Sequence, residues 1–417
     1  MSPLAGPLNS TRVAARPALG ALQAAALLAL LLGLQPVLTD LYLPALPRMA
    51  ADFAAPLAAM QMTMSGLVLA FGLTQLVWGP VADRVGRRPV LLASLGLMVV
   101  ASIGATLADS IGTLIAWRVA QGATLAAAVV CARAMVRDLY EPHEGARVMS
   151  LALSGLGLLA VAAPLSGGFI AAAFGWRATL GTVSAVALIT LLAIAWKLPE
   201  TLRTPNPQAL HLAVLARNAR EVFAHPTFRA WTLLTASTYA GLFIVLSGSP
   251  YVYIGVLGMT PSQYGLTMGA ASSIYLAGTV VCRRWLRLVG MRGAVQRGAF
   301  FTLAGGLGMA ACALADQPPI AAVLLSHFLF TFGHGVHQPC GQAGAVGPFP
   351  QMAGVASALA GCLLALGAFG VGSWLGAAMD GTLRPLGLGL AGASIATAAV
   401  AWTLVRRHGE PPRAPAA

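Results

Sequence analysis

Gly79-Pro80-Val81-Ala82-Asp83-Arg84-Val85-Gly86-Arg87-Arg88 places one acid, three arginines and two glycines within ten residues, between two long apolar runs. In a chain that is 58% hydrophobic and only 9% charged, that density needs a cause. Two apolar helices joined by so few residues must reverse sharply at a bilayer surface. Such a turn asks for glycine where backbones come close, and its arginines favour the cytoplasmic side. The stretch therefore predicts a hairpin and an orientation together.

The rest of the composition agrees. A soluble chain of 417 residues with so little polar surface would not cover itself, whereas a polytopic membrane chain needs no such cover. A span takes about 20 mostly apolar residues, and twelve segments qualify: 20–46, 58–82, 88–108, 113–135, 146–172, 177–197, 229–252, 262–284, 294–315, 319–341, 352–379 and 384–405. The net charge of +13 follows topology. With both termini in the cytoplasm, 21 of the 25 basic residues fall on that side, Arg48, Arg177 and Arg384 lie on the other, and Arg118 lies inside a span. The arginines alternate between sides instead of forming one groove-binding face, so no nucleic-acid partner is expected.

Arg12 and Arg16 before an alanine- and leucine-rich run imitate a signal peptide, but the run is long and lacks a clear cleavage site, so it is read as a retained first helix. Cys131, Cys282, Cys312, Cys340 and Cys362 are odd in number, fall within spans and are read as small packing residues. No G-x-x-x-x-G-K-[ST] loop or hydrolase constellation occurs, and Lys197 is the single lysine. An ion gradient, not ATP, is the expected energy source; no enzyme activity, cofactor or resident metal is expected.

The opening stretch resembles the loop between helices 2 and 3 of the major facilitator superfamily, G-x-x-x-D-R-x-G-R-[RK]. Gly79, Asp83, Arg84, Gly86, Arg87 and Arg88 fill its key positions. In that family the aspartate is thought to hold neighbouring cytoplasmic helix ends together, so the resemblance implies a gate role for Asp83. A turn that only sets topology is the alternative. The implied fold is all-α, with twelve transmembrane helices in two pseudo-symmetric six-helix bundles: an N-terminal bundle at 1–199, a cytoplasmic linker at 200–228 and a C-terminal bundle at 229–417. Within the linker, 211–224 reads as an interfacial helix.

Thr39-Asp40-Leu41-Tyr42-Leu43-Pro44-Ala45-Leu46-Pro47 resembles the T-D-x-Y-L-P-A-L-P signature of Bcr/CflA drug:proton antiporters. Asp40 is the one carboxylate deep in its span, and such a group is treated as functional by default. A wet, idle position at the outer interface is the other reading. Arg118, with Gln121 and Gly122, resembles the R-x-x-Q-G motif of helix 4. Asp40 and Arg118 both belong to the outer part of the membrane and are expected to approach, forming a proton-coupling pair. Gly155, Pro164, Gly167 and Gly168 match the antiporter motif of helix 5 in part, since Leu159 and Ala163 stand where glycines are usual. Gly278 to Arg283 repeats the glycine and arginine spacing of Gly79 to Arg84, with Cys282 replacing the aspartate.

His327, His334 and His337 share a broad face of helix 10. Three readings stand for them: cavity lining with substrate or proton binding, metal ligation, or hydrogen bonding within the bundle. His334, His337, Tyr239 and Phe243 are candidate cavity residues. The resemblance implies a monomeric bacterial inner-membrane protein, embedded in lipid, that exports small amphipathic drugs in exchange for protons. The alternatives are transport of one specific metabolite and a non-transporting membrane sensor.

Overall fold

The computed structural model describes residues 19–202 and 204–410, apart from the Pro142 side chain. Arg12, Arg16, Arg203 and Arg413 lie outside them. Among the described residues the chain is helical without strands, and eleven helices are long and apolar enough to cross a membrane. One of them, Pro261–Leu314, has 54 residues, about 80 Å at 1.5 Å per residue, far beyond a bilayer. It is broken at Gly290, whose φ of 69° is non-helical, so it supplies two spans and the total is twelve.

The spans are α1 (Ala21–Thr39), α2 (Leu57–Val85), α3 (Arg87–Thr106), α4 (Ile111–Leu139), α5 (Pro142–Phe174), α6 (Trp176–Lys197), α7 (Pro226–Pro250), α8 (261–289), α9 (291–314), α10 (Ile320–Val346), α11 (Ala353–Ala378) and α12 (Arg384–Trp402). A separate helix, Leu212–Ala224, lies between α6 and α7. The face holding the α2–α3 hairpin and this helix is called the basic face here, and the opposite one the far face.

Local chemistry sets the turns. Gly86 has φ 115°, a conformation costly for any residue with a Cβ. Gly290 plays the same part between α8 and α9, so the second-half counterpart of Asp83-Arg84-Val85-Gly86 is Arg287-Leu288-Val289-Gly290. This corrects the register of the repeat: Gly278 to Arg283 lies inside α8, and an arginine, not Cys282, stands at the acid's position. On the far face α4 and α8 each open with a capping box, Ser110 with Thr113 and Thr260 with Gln263.

Helices α1–α6 and α7–α12 form two bundles that meet closely from the far face to about the middle of the membrane. Gly168 of α5 lies on α8, where an added Cβ would come within 2.6 Å of the Pro261 carbonyl oxygen and 3.1 Å of Gly265 Cα. Along α2 and α11, Gly376 meets Ala58 and Gln61, Gly372 meets Ser65, Gly72 meets Ala365, and Gly361 meets Gln75. Small residues let the backbones approach, and van der Waals contact replaces the hydrophobic drive that lipid does not supply. Among the described residues two side-chain hydrogen bonds cross between bundles: Gln61 Nε2 to the Ser247 carbonyl at 2.6 Å in the far half, and Arg133 Nη1 to Ser357 Oγ at 2.8 Å toward the basic face.

The α2–α11 seam carries a cost. Ser65 Oγ and Gln75 Nε2 are buried in it without a partner, which costs on the order of 1–3 kcal/mol each. The seam is thus held by packing and loosened by two unpaired polar groups. Replacing Gly168 with Leu is expected to wedge α5 from α8 and open the far face, lengthening the distance between spin labels at Asp109 and Asp316; an unchanged distance distribution in a folded variant contradicts this account.

Candidate functional site

The site grows from the end of α1. Pro36 sits inside the helix, Asp40 is its C-cap, and the chain then passes through the 3-10 turn Leu43–Ala45 into the short helix Leu46–Asp52. A helix that stops inside the apolar layer leaves carbonyls without intrahelical partners. One of them, Leu38 O, accepts from Arg118 Nη2 at 2.8 Å. Arg118 Nε reaches the Thr63 carbonyl at 3.3 Å, its Nη1 reaches Gln121 Oε1 at 2.9 Å, and its Cζ lies 4.1 Å over the Tyr42 ring. The arginine is 0% exposed.

This corrects the expected pairing. Among the described residues no ion pair joins Arg118 to Asp40. The guanidinium is consumed by carbonyls, an amide and an aromatic face, and a cation at the C-terminal end of a helix also suits its dipole. Arg118 positions the break; Asp40 lies two residues beyond the carbonyl it holds. Gln121 passes the network on from its Nε2 to Ser102 Oγ at 2.9 Å, and Gly122 lets α4 cross the α2 backbone at Leu67.

Asp40 itself is partly exposed. The Thr39 hydroxyl lies 2.7 Å from its Oδ1 and 3.0 Å from the Gln35 carbonyl. Its carbonyl accepts from the Leu43 N–H at 3.4 Å, and the turn that begins there, Leu43–Ala45, packs on α7 and on the Pro261–Leu314 helix, so Asp40 adjoins the other bundle. Directly behind it, Gly167 packs against the Leu41 carbonyl. Gly167 and Gly168 therefore lie side by side, one on the turn after Asp40 and the other on the far-face seam, while the Pro164 carbonyl packs closely on Gly265 and Gly155 meets Ala29 of α1.

The basic-face hairpin is held by a residue that pattern reading overlooked. Glu200, just past α6, accepts from the backbone N–H of Arg87 at 2.9 Å and Arg88 at 3.0 Å, the first turn of α3, and from those of Thr201 and Leu202. A carboxylate at a helix N-terminus contributes about 0.3–1 kcal/mol from the dipole alone. A Cβ on Gly86 would meet its Oε2 at 2.7 Å, a second reason for glycine there. The motif pattern G-x-x-x-D-R-x-G-R-R stops far short of position 200, so the pattern gave no sign of this role.

Arg87 is the hub, paired with Asp83 at 2.5 Å and with Asp138 at 3.1 Å. Arg88 bonds the carbonyls of Leu198 and Ala195 at 2.8 and 3.0 Å, and Arg84 is exposed. Asp83 contacts its own bundle, and its carbonyl accepts from Asn206 N at 2.9 Å. Gly79 packs on Val130 of α4.

The histidines of α10 diverge. His327 pairs with the Tyr253 hydroxyl at 3.3 Å, His334 with Thr238 Oγ1 of α7 at 3.0 Å, and His337 with Thr302 Oγ1 and the Val295 carbonyl of α9 at 3.4 and 3.1 Å. His337 therefore turns away from the centre toward a peripheral helix and is not a cavity residue. Phe243, 0% exposed, is wedged against Gly372 in the far-half seam and lines no cavity either. Tyr239 is partly exposed and His334 only 2%. Among the described residues no group of three potential metal ligands gathers.

Three comparisons bear on this geometry. The Major Facilitator Superfamily profile matches residues 28–372. The chain is 29% identical over 347 residues to multidrug resistance protein D of Escherichia coli K12, covering 82% of this chain and 85% of that protein. It is 27% identical over 345 residues, covering 82% and 85%, to a bicyclomycin resistance protein homolog of Haemophilus influenzae. Among solved structures, the xylose transporter XylE of E. coli in a partially occluded inward-open conformation superposes with a TM-score of 0.74 at 15% identity, covering 92% of this chain and 97% of that one.

Lysine at position 118 keeps the charge but loses the planar fork that spans three acceptors. Arg118→Lys is expected to lower the thermal unfolding midpoint by several degrees and transport at least about tenfold; wild-type values for both would remove the positioning role.

Proposed function

The chain belongs to the Major Facilitator Superfamily and is a multi-pass membrane transporter, and from that membership we propose that it exports small amphipathic compounds in exchange for protons. The observation that carries the reading is Asp40: a partly exposed carboxylate at a broken helix end, just before the turn that packs on the opposite bundle and adjoining the far-face seam. Its relatives' names, multidrug resistance protein D and bicyclomycin resistance protein homolog, agree with efflux.

The basic face is assigned to the cytoplasm of a bacterial cell and the far face to the outside of its inner membrane, by the excess of arginine in short loops. The structure is then inward-facing. Leu41 packs on Gly167, and the following turn, Leu43–Ala45, packs on α7 and α8. A change of protonation at Asp40 is therefore felt by the seam next to it. Ionised, Asp40 accepts from the Thr39 hydroxyl and from a donor on the cargo. Protonated, it loses its charge and becomes a donor itself, so its remaining carbonyl oxygen holds the cargo's donor less tightly. Cargo enters from the cytoplasm with the acid ionised; a proton from outside displaces it once the far face opens. Arg118 holds the helix end and Asp40 moves the proton.

Asp83 is the gate residue in this scheme. It holds Arg87 here, and its partly exposed carboxylate is available to the other bundle when the basic face closes. The second half carries Arg287 at that position, so only one such acid serves the pair of bundles.

In proteoliposomes, Asp40→Asn is expected to abolish pH-gradient-driven accumulation of amphipathic drugs while leaving cargo-for-cargo exchange within about threefold of wild type. Accumulation at the normal rate would refute the proton role. Movement of one metabolite alone, with no drug carried, would replace the drug reading by a specific exporter.

A further inference from the structure

The mechanism above leaves Arg133 unused. It lies on α4 six residues before the end at Leu139, and fifteen residues past Arg118, about 22 Å toward the basic face at 1.5 Å per residue. Its neighbours Ala132, Ala134 and Met135 are buried, but Arg133 is exposed. Its direction is fixed, because Nη1 donates to Ser357 Oγ of α11 at 2.8 Å, across the boundary between the bundles. An arginine snorkelling to lipid headgroups would leave the bundle; this one reaches to the opposite bundle.

That bond uses one of five guanidinium N–H groups. The carboxylates are engaged or distant. Asp83, Asp138 and Glu200 serve the α2–α3 hairpin, Glu410 pairs with Arg292, and Asp40 caps the far-face end of α1. Among the described residues no carboxylate forms an ion pair with Arg133. A guanidinium with spare donors, exposed between two bundles, is a ready site for a planar anion.

The geometry points to Arg133 as a cargo-binding residue that takes the carboxylate, or other anionic and strongly accepting end, of an amphipathic molecule whose apolar body lies between the bundles and whose donor end reaches toward Asp40. This deepens the efflux reading and rests on it for the direction of transport. The cargo class is neutral to anionic amphiphiles. A fixed positive charge near the basic-face entrance disfavours cations. The Ser357 bond holds the fork pre-oriented across the boundary, so little side-chain freedom is lost when cargo arrives.

The test uses two forms of one dansyl fluorophore, bearing either a carboxylate or a quaternary ammonium, with binding read by fluorescence on the purified full-length protein in detergent. The wild type is expected to bind the carboxylate form at least about tenfold more tightly, the scale of one charge-assisted hydrogen bond pair. Arg133→Gln is expected to erase that ratio, and Arg133→Lys to keep part of it. A wild-type ratio of one or below, absence of binding by either form, or equal weakening of both forms in Arg133→Gln overturns the inference. If Arg133→Gln does not fold, the wild-type ratio and Arg133→Lys decide. No proton gradient is involved, so a protein that discriminates the two probes but carries nothing against a gradient retains this site and loses the efflux reading.

Discussion

A guanidinium that never loses its proton must find acceptors wherever it is buried, and inside an apolar slab backbone carbonyls are freed only where a helix stops. Arg118 and the broken end of α1 satisfy each other in this way. The arginine obtains Leu38 O, Thr63 O, Gln121 Oε1 and the face of Tyr42; the helix obtains a positive cap at its C-terminal end. Because the break is held there, Asp40 caps a helix end beside the bundle boundary instead of lying within a continuous helix. Because the chain turns at Leu41, Gly167 and Gly168 can carry α5 between that turn and α8. The seam, the acid and the helix end are one construction.

The two bundles are alike in fold and unlike in chemistry. Both hairpins turn on a left-handed glycine, Gly86 or Gly290, and both have an acid after the last helix of the bundle, Glu200 near Arg87 and Arg88, Glu410 with Arg292 at 3.4 Å. In the first bundle this arrangement holds Asp83 in place. In the second the equivalent position is Arg287. The second bundle instead buries three histidines, each satisfied by a hydroxyl or carbonyl, and a pair of cysteines, Cys282 and Cys340, with sulfurs 3.4 Å apart. Polar groups placed this way tie neighbouring helices together within the bundle.

Much of this was legible in the residues. Twelve apolar runs, the Gly79–Arg88 hairpin and the twelve-span fold follow from length, composition and turn chemistry, which are local properties. Asp40 was legible because a carboxylate inside a span has few innocent explanations. What escaped depends on direction. Asp40 and Arg118 lie at similar depth, but depth says nothing of which way a side chain points, and the arginine found carbonyls first. His337 and Phe243 share helix faces with cavity candidates yet turn to α9 and α11. Glu200 escaped because its partners lie over a hundred residues away, and the glycine of the second hairpin was misplaced because helix continues on both sides of Gly290.

The central claim is that cargo and proton compete for Asp40. It is tested most directly by counting protons released when a transported amphiphile binds purified protein in weakly buffered solution, across a pH series in which Asp40 passes from protonated to ionised. The account predicts release approaching one proton per bound cargo where the acid starts protonated, fading as pH rises, and none at any pH in Asp40→Asn. Binding without proton release in the wild type, or equal release in the variant, would contradict it.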